Sequence, residues 1–181
     1  MRIDKEGNKA LLVIDEQVDF VTGTLGSKYA ENTVVPNTVQ LIKQFPKTDI
    51  YATQDTHFSE YFTTLEGKKL PVQHCMAGTS GHELVPELKD LIFDDPLHQI
   101  KKVTFGANMD ILLSIFMNYE EIHLCGLCTD ICVVSNALIL RALFPNKTII
   151  LHESCCGGTS KEAHDAAVTV MRSCQIDISE I

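Results

Sequence analysis

The 181-residue sequence predicts an α/β fold in which a parallel β-sheet carries helices on both faces. Short β-branched apolar runs alternate along the chain with longer segments whose apolar residues recur at helical spacing, and this alternation is typical of parallel sheets. No repeat, charge block or flexible linker interrupts the pattern. Residues 1–181 are therefore interpreted as a single domain.

Six apolar runs are predicted to be strands. The four stronger ones resemble strands that are buried on both faces of a sheet, and two further runs are weaker candidates. The stronger runs are residues 10–14, 49–53, 122–125 and 148–152, and the weaker ones are residues 99–104 and 175–178.

Four segments, residues 33–44, 108–118, 130–144 and 160–173, are predicted to be helices. Asn32 is the predicted N-cap of the first, and the last begins at Ser160. The third is apolar almost all round, so we expect it to lie largely buried against the sheet. The other apolar faces are Ile111, Leu112, Ile115 and Phe116 in the second helix, and Ala163, Ala166, Ala167 and Val170 in the fourth.

Composition and charge exclude several classes of function. Asp and Glu number 24 against 15 Lys and Arg, and the resulting net charge of −9 disfavours binding to nucleic acids or acidic membranes. The polar N-terminus, residues 1–10, does not look like a signal peptide, and no apolar run approaches the roughly 18 residues that span a bilayer. We therefore expect a cytoplasmic protein whose seven cysteines are thiols, metal ligands or nucleophiles.

Ligands of parallel α/β sheets bind beyond the carboxyl ends of the strands, so candidate functional residues are sought there. Asp15 ends the first strand, where it is either a turn cap or a buried general base with a raised pKa. Considered alone, the cap is the favoured interpretation. Lys101 and Lys102 end a weaker strand, and strand alternation sends one of the two side chains into the crevice.

Asp55, His57 and His74 form a candidate metal site after the second strand. Residues two apart on an extended segment point the same way, so Asp55 and His57 can share an ion, with His74 as a third ligand. This ligand set suits Zn²⁺, Fe²⁺ or Mn²⁺ and leaves positions open for water or substrate. The alternative, a capping Asp55 with histidines on the surface, has about equal weight.

The segment from Gly126 to Val133 carries the candidate nucleophile. A strand ends, a short loop follows, and Cys132 falls in the first turn of the next helix, where the helix dipole is expected to lower the thiol pKa. Two alternatives are that Cys132 is simply a small buried residue, and that Cys125 and Cys128 form a redox or zinc pair. The pair is disfavoured because Cys125 belongs to the strand and no second Cys-x-x-Cys motif completes a zinc site.

Taken together, the segment Asp15–Phe20, Lys102 and the segment Gly126–Cys132 resemble the cysteine hydrolase family that includes isochorismatase and nicotinamidase. The motifs occur in the order and spacing of that family and extend over nearly the whole chain. The resemblance implies a three-layer α/β/α sandwich with a six-stranded parallel sheet. It also implies a catalytic triad of Asp15, Lys102 and Cys132.

Within the family, the Asp55–His57 pair with His74 is similar to the metal site of nicotinamidases, as is the stretch 70–84. The resemblance implies one divalent ion, with zinc preferred over iron or manganese, and makes Glu66 the candidate fourth ligand. The implied activity is hydrolysis of nicotinamide to nicotinate and ammonia through a cysteine thioester, in NAD salvage. The alternative within the family is a cysteine amidase for another small amide.

The same resemblance implies the details of the pocket. The backbone amides of Cys128 and Cys132 are expected to bind the oxyanion, with a cis peptide at Leu127–Cys128, and Phe20 and Phe105 to form walls for the substrate ring. The expected partner is a small amide, with no nucleic acid and no membrane, and acidic hydrolases of this size often form homo-oligomers. A non-catalytic binding module or a metal- or redox-sensing protein is the alternative from another class.

Overall fold

The computed structural model describes residues 8–179, so most of the N-terminal segment 1–10 lies outside the described residues. All six predicted strands are present and pair in parallel in one sheet with the spatial order β3-β2-β1-β4-β5-β6. They are β1 (Lys9–Ile14), β2 (Ile50–Asp55), β3 (Gln99–Lys102), β4 (Glu121–Leu127), β5 (Thr148–Gly157) and β6 (Asp177–Ser179). The predicted α/β fold with a six-stranded parallel sheet is confirmed.

In the described part of the chain, seven α-helices connect or flank the strands. They are α1 (Val18–Val21), α2 (Val35–Ile42), α3 (Leu65–Lys69), α4 (Pro86–Lys89), α5 (Met109–Phe116), α6 (Val134–Leu143) and α7 (Lys161–Ser173). Wider π-helical turns, Ala30–Val34 and Thr129–Val133, lead directly into α2 and α6. Within residues 8–179, no helix has the length and apolar content needed to cross a membrane.

The strand order places the end of β1 beside the end of β4, at the point where the direction of chain progression across the sheet reverses. Ligands of open α/β sheets bind at such a point. Ile14 and Gly126 are register partners there. Gly126 has a φ of 122°, and a Cβ on it would lie 2.1 Å from Ile14 O. Only glycine allows this close approach of the two backbones.

The strand bounds differ from the predicted ones mainly at the carboxyl ends. β2 and β4 reach Asp55 and Leu127, and β5 continues five residues beyond the predicted end to Gly157. β3 stops at Lys102, two residues early. The longer strands contain polar or small residues that lack the apolar signal but still have a neighbouring strand with which to pair.

The predicted N-cap Asn32 is wrong. Ser27 Oγ accepts a hydrogen bond from the Ala30 backbone N–H at 3.0 Å, so the helical segment before α2 begins several residues earlier. A serine oxygen satisfies one of the free N–H groups of a helix start as well as an asparagine does. The last helix, predicted to begin at Ser160, begins one residue later, with Ser160 as the N-cap of α7 whose Oγ accepts from Ala163 N at 3.1 Å.

Two helix faces are rotated from the predicted ones. Ile111 of α5 is 39% exposed, whereas the other three predicted residues of that helix are buried. In α7 the predicted Ala166 and Val170 are exposed, and the buried residues are Ala167, Val168 and Met171. Burial of valine and methionine removes more apolar surface from water than burial of alanines, which favours the observed orientation.

Helix α6 is less buried than predicted. Asn136, Ala137 and Leu140 are its buried residues, and most of the others are half-buried.

Strand β1 is much more buried, since its residues Ala10–Ile14 are completely buried at the centre of the sheet. The buried strand ends directly at Asp15, which makes the central strand the base of the candidate site.

Candidate active site

Asp15 follows β1, Lys102 ends β3 and Cys132 lies in the helical turn after β4, and the three side chains meet beneath one cavity. Lys102 Nζ lies 2.7 Å from Asp15 Oδ2 and 3.5 Å from Cys132 Sγ. All three side chains are almost fully buried. The expectation that one of the two lysines points into the crevice is confirmed, since Lys102 is buried and Lys101 is exposed.

Thr53 of the neighbouring strand β2 holds Asp15 in place. Asp15 has a φ of 51°, its N–H donates to Thr53 O at 3.2 Å, and its Oδ1 accepts from Thr53 Oγ1 at 2.6 Å. Burial raises the pKa of Asp15, the Lys102 charge opposes this shift, and the Asp55 charge adds to it. A buried carboxylate with a raised pKa is suited to accept a proton, which favours the general-base interpretation over the cap.

The expected lowering of the Cys132 pKa is wrong. Burial and the Asp15 charge raise the pKa of the thiol well above its usual value, although the Lys102 charge acts in the opposite direction. Burial also disfavours the charged form of Lys102, but the negative charges near it, above all that of Asp15, outweigh burial and raise the lysine pKa. The resting pair is therefore a neutral thiol next to a permanently protonated lysine.

Asp55, His57, Glu66 and His74 form the second cluster of the site, and one ligand atom from each lies within 4.8 Å of the others. Asp55 Oδ2 is 2.8 Å from His57 Nε2 and 3.6 Å from His74 Nε2. Glu66 Oε1 is 3.6 Å and 3.7 Å from the same two nitrogens. The loop between β2 and β3 therefore brings the candidate fourth ligand to the three predicted ones.

This cluster fits a divalent metal ion. Zinc binds nitrogen and oxygen at about 2.0–2.2 Å, so the ligands of a tetrahedral ion lie about 3.3–3.6 Å apart, close to most of the distances found here. His57 Nε2 is buried and, among residues 8–179, has no hydrogen-bond partner of acceptable geometry despite its nearness to Asp55. His74 Nδ1 lies 2.8 Å from Val72 O, an arrangement that leaves Nε2 free to bind metal.

Asp55 belongs to both clusters. Its Oδ2 faces the two histidines, and its Oδ1 lies 3.3 Å from Lys102 Nζ. Burial alone would raise the pKa of Asp55, but the nearby His57 and His74 rings and the Lys102 charge hold it well below its usual range. The carboxylate thus stays ionised, as a metal ligand must.

A cavity of about 550 Å³ opens above both clusters. Cys132, Asp55, Glu66 and His74 lie in its wall, as do the predicted ring contacts Phe20 and Phe105 and the predicted oxyanion residue Cys128. The peptide bond Leu127–Cys128 is cis, as the resemblance implied. Two larger clefts, of about 710 and 730 Å³, contain neither a triad residue nor a member of the metal cluster. A third cleft, of about 570 Å³, adjoins the site, since His57, Glu66 and Phe105 line it.

Two buried amides that sequence reasoning missed support the site. The side chain of Gln17 donates to Asp55 O at 2.9 Å and accepts from Asp55 N at 2.7 Å, which fixes the backbone of the shared carboxylate. Asn136 Nδ2 donates to Cys132 O at 2.8 Å. A single amide side chain has no periodicity or motif, so the only available signal was the proximity of each one to a candidate residue along the chain.

Comparisons with known proteins agree with this geometry. The Isochorismatase domain family matches residues 9–181. A curated relative, an uncharacterized isochorismatase family protein PncA from Bacillus subtilis (strain 168), is 27% identical over 172 residues, or 89% of this chain and 92% of the relative.

Solved structures give the same result for the fold. A nicotinamidase/pyrazinamidase PncA from Bacillus subtilis has a TM-score of 0.78 and 26% identity, with 95% of this chain and 99% of that chain covered. A pyrazinamidase of Pyrococcus horikoshii in complex with zinc has a TM-score of 0.77 and 23% identity, with 96% and 99% covered. From the match of its sequence over residues 9–181, the chain belongs to the isochorismatase family.

Proposed function

We propose that this protein is a metal-dependent amidohydrolase that converts nicotinamide to nicotinate and ammonia through a thioester on Cys132. The observation that carries the proposal is the shared carboxylate of Asp55, which joins the triad to the metal-ligand cluster beneath a single cavity. A small amide in this cavity can approach the nucleophile and the metal cluster at the same time. The names of the zinc-bound pyrazinamidase and of the nicotinamidase among the similar structures support this choice of substrate.

Asp15 accepts the proton of the Cys132 thiol as the reaction begins. Both groups have a raised pKa because they are buried, so the proton moves between two groups that are each reluctant to ionise. Lys102 lies within 3.5 Å of both and remains protonated. Its charge stabilises the negative charge first on Asp15 and then on the thiolate.

The thiolate of Cys132 attacks the amide carbon and forms a tetrahedral intermediate. The backbone N–H groups of Cys128 and Cys132 bind its oxyanion, a type of contact that lowers the barrier in acyl transfer. Asp15 returns the proton to the leaving nitrogen, the C–N bond breaks, and ammonia departs. Water then attacks the thioester with Asp15 as the base, and nicotinate and the free thiol are released.

Asp55, His57, Glu66 and His74 would hold the divalent ion, with zinc as the preferred metal. When bound, the ion supplies a Lewis-acidic contact for the pyridine nitrogen of the substrate. Phe20 and Phe105 line the same cavity and pack against the faces of the ring. Gln17 keeps the Asp55 backbone in position through its two hydrogen bonds.

The wider cellular assignment is part of the same proposal. Hydrolysis of nicotinamide belongs to NAD salvage, and a reducing cytoplasm is compatible with the free cysteines of the described chain. We further propose that the protein works as a homo-oligomer on a small neutral amide, without nucleic-acid or membrane partners.

Ammonia release from nicotinamide and from benzamide tests the proposed substrate. Benzamide has the same shape but lacks the ring nitrogen, so we expect at least a tenfold higher kcat/KM for nicotinamide, equal to about 1.4 kcal/mol of transition-state binding. Equal values for the two amides would contradict a role of the metal cluster in substrate binding. Faster hydrolysis of a different small amide would favour the family alternative, and no hydrolysis of any amide would favour a binding module.

A further inference from the structure

We infer that Asn136 is a positioning residue that fixes the loop bearing Phe105 to the helix of the nucleophile, and so sets the width of the substrate slot. The inference rests on the proposed function insofar as Phe105 is taken as a wall of that slot. It begins from a buried side chain that the proposed reaction does not use. Asn136 lies in α6, four residues after Cys132, and is completely buried.

The amide of Asn136 bonds to two parts of the site at once. Its Nδ2 donates to Cys132 O at 2.8 Å and to Phe105 O at 3.2 Å, and its Oδ1 accepts from Ala107 N at 2.9 Å. An asparagine amide has two N–H donors and one carbonyl, and all three are engaged. One of the bonded residues is Cys132, the proposed nucleophile, and the other two, Phe105 and Ala107, flank Gly106.

The loop also lies directly against α6 at Gly106. A Cβ at this position would lie 2.4 Å from Ile139 Cδ1, so a side chain there would have to displace the end of the Ile139 side chain. Ala107 is buried beside it. The contact of the loop with α6 therefore combines a hydrogen-bonded amide with a close approach at Gly106.

Phe105 itself has little packing to hold it. Its side chain is 46% exposed although it lines the cavity, so its position follows from its backbone. Lys102 precedes it by three residues, at the end of β3. Loss of the Asn136 bonds should free the segment that follows Lys102 and so move Phe105 away from the substrate ring. The contacts of Lys102 with Asp15 and Cys132 should remain.

The kinetic test compares Asn136→Ala with a control, Asn37→Ala. Asn37 is a half-buried asparagine of α2 whose Nδ2 donates to Ser154 O of β5 at 2.7 Å. Because the ring contact acts on bound substrate and transition state alike, we expect Asn136→Ala to raise the KM for nicotinamide about fivefold or more with kcat within about twofold. The control should leave both constants unchanged. Equal loss of kcat in both variants would overturn the inference.

A double-mutant cycle with Phe105→Ala tests whether Asn136 acts through the aromatic ring. If it does, Asn136→Ala should raise KM in the wild-type background but by less than about twofold in the Phe105→Ala background. Additive effects would contradict the inference. Gly106→Ala is an independent probe of the same contact and should also raise KM, because its Cβ would meet Ile139 Cδ1. Combining it with Ile139→Val should restore KM, because valine lacks that atom.

A fluorescence measurement separates failure of this inference from failure of the proposed function. The chain contains no tryptophan, so Phe105→Trp introduces a single reporter on the loop. We expect Asn136→Ala to lower the fluorescence anisotropy of this tryptophan and Asn37→Ala to leave it unchanged, whether or not nicotinamide is the substrate. Unchanged anisotropy in the folded Asn136→Ala protein would overturn the inference, whereas lowered anisotropy without nicotinamide turnover would reject only the proposed substrate.

Discussion

The triad and the metal-ligand cluster are neighbours in space but are built in different ways. Asp15 and Lys102 sit at the ends of strands, and Cys132 follows a strand by one turn, so the sheet itself fixes them. Of the metal cluster only Asp55 lies on a strand; the other three ligands lie in the long connection between β2 and β3. The proposed chemistry thus depends on strand ends and the proposed metal binding on a long connection, so the two can be changed separately.

Replacement of the nucleophile should break the triad without affecting the metal cluster. We expect Cys132→Ala to lower kcat/KM for nicotinamide by on the order of 10⁴-fold or more, because no thioester can form. The variant should still bind about one Zn²⁺ per chain, as measured by metal analysis after dialysis. Cys174→Ala, a half-buried thiol remote from the cavity, is the matched control. Retained turnover by Cys132→Ala would remove the basis of the mechanism.

Two adjacent buried carboxyl groups test the triad more finely. Asp15→Asn removes the proton acceptor and should lower kcat by about 10²–10⁴-fold, the usual contribution of a general base. Glu16→Gln should leave kcat unchanged, since Glu16 bonds to Thr38 Oγ1 at 2.6 Å instead of to any triad residue. The kcat values of the two variants are compared by steady-state kinetics at one pH. Similar losses of kcat in both would show that burial of a carboxyl group, not proton transfer, explains the effect.

The metal cluster should respond to Glu66→Gln mainly in its affinity for metal. Removal of one charged ligand is expected to weaken Zn²⁺ binding by about 10–100-fold in a chelator competition titration. At saturating Zn²⁺ kcat should recover most of its wild-type value because the triad is intact. Glu60→Gln, an exposed carboxylate in the same loop, is the control and should leave the affinity unchanged. Equal affinities in all three proteins would exclude Glu66 as a ligand.

Glu16→Gln is expected to have the smallest effect on catalysis but a measurable effect on stability. Burial raises its pKa from 4.5 to about 8, although the Thr38 hydrogen bond opposes the shift. The neutral acid therefore stabilises the fold below pH 4.5, and this contribution is lost as the pH rises towards 8.

Between pH 5 and 8, the free energy of unfolding of the wild type should thus fall by a few kcal/mol relative to that of Glu16→Gln, since each unit of pKa displacement is worth about 1.4 kcal/mol. Urea titrations at several pH values measure it, with the exposed Glu87→Gln as control. Parallel curves for wild type and Glu16→Gln would contradict a neutral Glu16.

The difference between the two clusters also explains how much could be predicted from the sequence. The apolar run that ends at Asp15 and the alternation at Lys101 and Lys102 are local patterns, and both led to residues that the sheet brings together. The position of Glu66 was not readable from spacing, because the path of the connection between β2 and β3 depends on tertiary contacts. Only the family resemblance suggested Glu66, and the structure places its carboxylate beside both histidines.

Other errors arose where tertiary contacts override local preference. The Cys132 pKa was predicted from the helix dipole alone, but burial and the Asp15 charge exceed it. The face of α7 was predicted from alanines, whereas the larger Val168 and Met171 determine which side is buried. Gln17 and Asn136 had no signal beyond their proximity to a candidate residue along the chain, since their importance lies in the backbone groups that the fold brings within reach.

The central claim is that the two clusters act together on one amide, and metal depletion tests it most directly. Ammonia release from nicotinamide would be measured for the chelator-treated protein before and after addition of Zn²⁺, with Fe²⁺ and Mn²⁺ in parallel and Cys132→Ala as the blank. We predict loss of turnover on depletion and recovery with at least one of these ions. Equal turnover by depleted and repleted protein would contradict the claim, because the triad would then work without the cluster that shares Asp55 with it.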